Sequence, residues 1–403
     1  MLGDKRLIQT IRPKSFLSFG PQTEAARLLS LNVLIGPNGS GKSNLIEAID
    51  LLRACPRDLQ VPIRSGGGVA EWIWKGNRAT EPAEIDVTVF NPYGVMALRH
   101  SLSFTMVGQR FELVDEAIEN ERPSSRFEGD VFFYYRYQHG HPVVNVASAD
   151  TAEPQGRKRR SLRREDIAPN QSVLSQRKDP EVYPEVTYLG NEYAKVRLYR
   201  EWDTGRQTTP RLPQKADLPE DFLAEDASNL CLVLNDLERL GKRSVLVDRL
   251  REFHEPITDF FTSVHGGTVQ LFLHERGLRE PIPATRLSDG TLRFLCLLAI
   301  LCHPSPPPLI CIEEPEIGLH PDALPTVADL LTEASQRTQL IVTTHSDALV
   351  DALTATPEAV VVCEKQEGST TMRRLDSDAL KEWLENYTLG QLWRKGELGG
   401  NRW

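Results

Sequence analysis

Two features of this sequence predict an α/β fold with a mainly parallel sheet covered by helices on both faces. An apolar run at 31–35 is joined by a glycine-rich turn to a helix-like stretch at 44–53. Three further short apolar runs, at 309–312, 340–343 and 359–363, are each separated from the next by a helix-compatible segment. Strands that alternate with helices along the chain pair in parallel, because each crossover helix returns the chain to the same end of the sheet.

The other elements follow in chain order. Residues 6–12 and 15–19 read as β-rich and lead into the strand at 31–35. Strand-like patterns follow at 83–90, 101–106 and 131–135, which predicts antiparallel strands mixed into an N-terminal lobe over 1–180. Residues 148–180 are polar and charged and are expected to form an exposed loop; Arg157, Lys158, Arg159, Arg160, Arg163 and Arg164 make it basic. Over 181–256 the apolar period becomes helical, with Val182, Val186, Leu189, Tyr193 and Val196, then Leu230, Val233, Leu237 and Leu240. This segment is expected to be a helical insertion, too short in heptads for a long coiled coil. A C-terminal lobe over 257–403 then holds a strand at 268–274, an apolar helix at 291–302 and the three late strands.

Composition narrows the function classes. With 40% hydrophobic and 26% charged residues the chain reads as an ordinary globular protein, and its longest apolar runs fall well short of the ~20 residues a membrane helix needs. A net charge of −9 argues against a broadly basic nucleic-acid coat while leaving room for a local basic groove. The six cysteines form no C-x-x-C pair, which suits buried thiols in a reducing cytosol. The N-terminus shows no apolar signal core, so a cytoplasmic location is expected. Trp72 and Trp74 read as packing residues rather than a base-stacking platform.

The turn after the first strand of the predicted sheet is Gly36-Pro-Asn-Gly-Ser-Gly-Lys-Ser43, the pattern G-x-x-x-x-G-K-[ST]. Strand, loop and helix are the context phosphate binding needs. Backbone N–H groups wrap the phosphates, glycines allow close approach, and the helix N-terminus presents a positive dipole end. The pattern predicts nucleoside triphosphate binding, with Lys42 reaching the β- and γ-phosphates and the Ser43 hydroxyl on Mg²⁺. The strand at 309–312 runs into Glu313 and Glu314, a carboxylate pair of the kind phosphoryl-transfer ATPases place beside the loop.

Four motifs in order, Gly36-Pro-Asn-Gly-Ser-Gly-Lys-Ser-Asn44, Leu287-Ser-Asp-Gly-Thr291, Glu313-Glu-Pro-Glu-Ile-Gly-Leu-His-Pro321 and Thr343-Thr-His-Ser346, resemble the stand-alone AAA-family ATPases of the RecF/SMC/OLD-type ATP-binding-cassette group. The ending Leu389-Gly-Gln-Leu-Trp-Arg-Lys-Gly-Glu-Leu-Gly-Gly400 resembles that group too. The resemblance implies an ATP-binding-cassette head that binds ATP and Mg²⁺. Gly36, Asn38, Gly39, Gly41, Lys42, Ser43 and Asn44 would hold the nucleotide. Ser43, Glu313 and Gln176 would serve the metal, and Glu313 stands where the family usually has Asp, so its contact is direct or through water. Glu314 would orient the attacking water, and His345 would contact the γ-phosphate. Ser288 and Gly290 belong to the signature loop, which in this family meets the nucleotide of a second subunit; read locally, Ser288 and Asp289 are also good helix caps.

The family's mobile glutamine is expected at Gln176, with Gln138 as second choice. The resemblance further implies a homodimer closed around ATP, acting as a switch for a separately encoded effector protein, as in prokaryotic defence modules. The stretch after His345 is too short for the nuclease that follows the ATPase in OLD relatives. The alternative is a RecF-like repair ATPase clamping DNA across the dimer, with the basic residues at 157–164 on DNA phosphates. A transporter motor fits these signatures poorly.

Overall fold

The computed structural model describes residues 6–76, 81–123, 131–138, 141–147, 157–161 and 168–400. Its middle layer is a six-stranded sheet in the order Arg197–Tyr199, Leu309–Glu313, Gln339–Thr343, Leu31–Ile35, Val360–Gln366, Ser369–Arg374. The first five strands are parallel, and the last turns back antiparallel onto its neighbour.

Strand side chains alternate between faces, and here both faces are buried. Leu31, Val33, Ile35, Ile310, Ile312, Leu340, Val342, Val360 and Val362 enter one apolar cluster. It also holds the helices Leu230–Arg239, Arg243–Phe253, Asp289–Leu301 and Leu324–Ala334. Leu34, Leu309, Cys311, Ile341, Val361 and Cys363 enter the other, with the helix Lys42–Ala54 and an antiparallel sheet. That eight-stranded sheet runs Ala26–Arg27, Ile8–Lys14, Ala83–Val89, Leu98–Val107, Arg110–Asn120, Phe133–Gln138, His141–Ala147, Arg157–Ser161. A third, small antiparallel sheet joins Gln214–Lys215, Thr268–Glu275, Ile257–His265 and Ile282–Pro283.

The segment 181–256 is not wholly helical. Helices form at Pro184–Lys195, Leu230–Arg239 and Arg243–Phe253, but Arg197–Tyr199 is the edge strand of the parallel sheet. Val196 ends the first helix by turning extended (ψ 138), which lets Leu198 and Tyr199 pair with the strand Leu309–Glu313. Within the stretch expected as a loop, Arg157–Ser161 is the last strand of the antiparallel sheet and Val173–Gln176 a short helix; Arg163 and Arg164 lie outside the described residues. Trp72 is 2% exposed and packs edge-on against Phe16. All six cysteines are buried thiols. Among the described residues no helix is long and apolar enough to cross a membrane.

Candidate nucleotide site

Parallel pairing brings three strand ends to one edge. Glu313 stands opposite Thr343, and Thr343 opposite Leu34, so the carboxylate pair, the histidine turn and the glycine-rich loop lie side by side. In α/β sheets this crevice at the carboxyl ends of the strands is where ligands bind.

The loop is shaped by its glycines and by its lysine. Gly41 precedes the helix with φ 99, and a Cβ there would meet Thr370 Oγ1 at 2.2 Å, so conformation and space both demand glycine. Asn38 and Gly39 are exposed at the crest, whereas Ser40 and Lys42 are buried. Lys42 Nζ donates to the carbonyls of Gly36 (2.8 Å) and Pro37 (3.0 Å), which folds the lysine back over its own loop. Asn44 Nδ2 donates to Ser18 Oγ at 2.7 Å, and Thr370 Oγ1 donates to Ser40 O at 2.9 Å. Those bonds anchor the loop to neighbouring strands and turns.

Ser43 Oγ donates to Glu313 Oε2 at 2.9 Å. A hydroxyl and a carboxylate oxygen side by side form the donor set a hard divalent cation takes, so these residues fit Mg²⁺. Glu314 has φ 47, a left-handed conformation that costs a non-glycine residue energy and concentrates at functional sites. Its amide donates to Thr343 O at 3.0 Å. Its Oε1 lies 3.7 Å from His345 Nε2. Glu316 Oε1 accepts from Thr344 Oγ1 (2.6 Å) and from the His345 amide (2.8 Å), and so fixes the histidine turn. Burial pushes the Glu316 carboxyl above the ordinary carboxylate range.

Ser288 caps the helix Asp289–Leu301: its Oγ accepts from the Thr291 amide at 3.0 Å. Ser288 and Asp289 are exposed, and Asp289 pairs with the buried Arg211. A Cβ on Gly290 would stand 2.5 Å from the Gly318 carbonyl, so the turn after the carboxylate pair packs directly on this helix start.

The family model described as "AAA domain, putative AbiEii toxin, Type IV TA system" matches residues 31–351. The chain belongs to this family. It is an AAA-type ATPase, and its fold is that of an SMC head. The crystal structure of an SmcHead bound to the C-winged helix domain of ScpA is 13% identical, at a TM-score of 0.54, over 93% of this chain and 99% of that one. An Smc head domain with an extended coiled coil, bound to the C-terminal domain of ScpA and derived from Pyrococcus furiosus, is 13% identical at a TM-score of 0.55, over 94% of this chain and 98% of that one. No curated protein matches the chain.

This AAA domain does not bring Gln176 to the loop. Gln176 Oε1 accepts from the Ala168 amide at 2.8 Å, and its Nε2 donates to Gln171 O at 3.1 Å, so its carboxamide serves the local turn. Gln138 ends a strand of the antiparallel sheet, in register with Asp115 and His141. The residues that reach the carboxylate strand come instead from the segment after the edge strand Arg197–Tyr199. Arg200 lies 2.9 Å from Glu47, 3.9 Å from Asp50 and 3.4 Å from Glu313 Oε1. Trp202 Nε1 donates to Glu313 O at 3.0 Å, and Trp202 O accepts from Arg293 of the helix Asp289–Leu301 at 3.1 Å. Sequence reading missed Arg200 and Trp202 because a three-residue strand has too little periodicity to register. Glu316 was visible within Glu313-Glu-Pro-Glu316, but only the fold shows its carboxylate under the histidine turn.

Proposed function

We propose that this chain hydrolyses ATP with Mg²⁺ at composite sites between two copies, and that the dimer acts as a switch for a separately encoded protein. The observation that carries the chemistry is the pairing of Ser43 with Glu313 beside Glu314 and His345, on adjoining parallel strands. Ser43 and Glu313 would hold Mg²⁺, which when bound neutralises charge on phosphate oxygens. The loop amides of 36–43 and Lys42 bind the phosphates. Glu314 orients the attacking water and polarises it as a general base. His345, its turn held by Glu316, faces the terminal phosphate.

Dimerisation is supported by the exposure of Ser288 and Asp289 at a helix N-terminus, where backbone N–H groups favour an anion. Each Gly36–Ser43 loop would then face residues 287–290 of the other copy in a two-fold arrangement. A chain carrying Lys42→Ala and a chain carrying Ser288→Arg are each expected to be inactive alone. Mixed in equal amounts, they assemble heterodimers with one intact site and recover roughly a quarter of wild-type turnover, for independent sites in a two-fold dimer. Two folded variants whose mixture stays inactive would refute the composite site.

The family description names a toxin–antitoxin system, and the SMC heads of similar fold were solved with a bound protein, ScpA. The first supports a defence role and the second a role exercised through a partner protein, and on this reading the chain itself carries no nuclease chemistry. Plasmid and linear DNA incubated with the purified protein, Mg²⁺ and ATP are therefore expected to remain intact. Cleavage that persists in a Glu314→Gln preparation would place an effector activity in the chain itself.

A further inference from the structure

The segment 389–400 carries none of the chemistry proposed above, yet it abuts the phosphate loop. The helix Leu389–Lys395 ends at Gly396, and the chain turns back through Gly399 (φ 77) and Gly400 (φ 65). Three side chains hold this turn. Arg373 Nη2 donates to Leu398 O at 2.6 Å, Trp393 Nε1 donates to Gly400 O at 3.1 Å, and the Gly400 amide donates to Glu364 Oε1 at 2.6 Å. Trp393 is buried, so its indole N–H has a fixed partner in a water-poor setting.

Gly400 leaves no room on its loop side. A Cβ there would stand 2.9 Å from Val362 Cγ1 and 3.4 Å from the Cα of Gly36, the first glycine of the loop. A Cβ on Gly36 would itself meet the Cys363 carbonyl at 2.2 Å. Gly36 is thus set between the strand Val360–Gln366 and the 399–400 turn. Its carbonyl accepts from Lys42 Nζ at 2.8 Å, so a shift of Gly36 moves an acceptor that places the ammonium.

We propose that the 399–400 turn, pinned by Trp393 and Glu364, is a positioning brace that holds Gly36 and, through it, Lys42 in the geometry that binds ATP. The inference rests on the reading that the 36–43 loop holds ATP. It assigns a role in nucleotide affinity to residues outside the four motifs, and it explains why Gly400 must lack a side chain. Glu364 and Trp393 act here through Gly400 and touch no nucleotide.

The test is equilibrium binding of a fluorescent ATP analogue to the full chain, together with thermal unfolding without nucleotide and steady-state kinetics. Gly400→Val and Glu364→Ala are expected to raise Kd and KM by about tenfold or more. Trp393→Phe, which keeps an aromatic ring of smaller size and removes the N–H donor, is expected to raise them about threefold. Glu364→Gln keeps the acceptor oxygen and restores affinity. Turnover at saturating ATP stays near wild type in all four, because Glu314 and His345 are untouched.

A lowered unfolding temperature with unchanged Kd would make the turn merely structural and overturn the proposal. So would a Glu364→Gln variant as weak as Glu364→Ala. If Gly400→Val does not fold, the Trp393 and Glu364 variants decide the matter. Wild-type protein that binds no ATP would instead overturn the nucleotide reading on which the brace depends.

Discussion

Glu314→Gln is expected to lower ATP turnover by about 10²–10³-fold, the loss typical for removal of a positioned general base. That corresponds to about 3–4 kcal/mol of transition-state stabilisation. The substitution keeps the size of the side chain and leaves the backbone bond from the Glu314 amide to Thr343 in place. It removes the negative charge that would polarise the attacking water and weakens the electrostatic contact with His345, 3.7 Å away. ATP binding is expected to persist, because the loop and the Ser43–Glu313 pair are unchanged. Phosphate release at saturating ATP and equilibrium ATP binding, measured on one preparation, separate the two effects. Unaltered turnover would move the role to another carboxylate, with Glu313 and Glu316 next in line by position.

Lys42→Ala is expected to act at the binding step instead. In the structure the ammonium is buried and bonded to the Gly36 and Pro37 carbonyls, poised at the mouth of the loop. Its loss removes the one side-chain cation of the loop and leaves those carbonyls without this donor. Charge-assisted bonds to phosphate are the strong ones, so ATP affinity is expected to fall about 30–100-fold, or about 2–3 kcal/mol. The stabilisation that ATP lends to the fold shrinks with it, since a ligand at free concentration L that binds the native state alone stabilises it by RT ln(1 + L/Kd). Thermal unfolding with and without ATP provides the reading. A Lys42→Ala protein that ATP stabilises as fully as wild type would exclude Lys42 from the phosphate site.

The two variants draw on different layers of information. Lys42 and Ser43 could be found from eight consecutive residues, since strand, turn and helix are local in the chain and the pattern carries its own geometry. Glu313, Glu314 and His345 were legible for a similar reason: each follows a short apolar run, and parallel pairing sends such run ends to the same edge. The antiparallel strands at 83–89 and 98–107 were likewise visible in their alternation.

Gln176 failed for a physical reason. A glutamine before a helical stretch matches the expected place in the chain, but its carboxamide found nearer partners in the 168–171 turn. Short polar turns compete for such side chains, and no sequence pattern reports the outcome. Arg200 and Trp202 were illegible from the opposite cause: their partners Glu47 and Glu313 lie 153 and 111 residues away. Only the insertion of Arg197–Tyr199 beside the carboxylate strand brings them together.

What the sequence by itself determined, then, is the alternation of apolar runs with helical stretches, the glycine-rich loop and the order of the four motifs, because each is a pattern carried by contiguous residues. The tertiary structure alone decided which side chains surround those motifs. Glu316 beneath the histidine turn, Arg200 against Glu313 and Gly400 against Gly36 all depend on strand order and close packing, which no local pattern encodes.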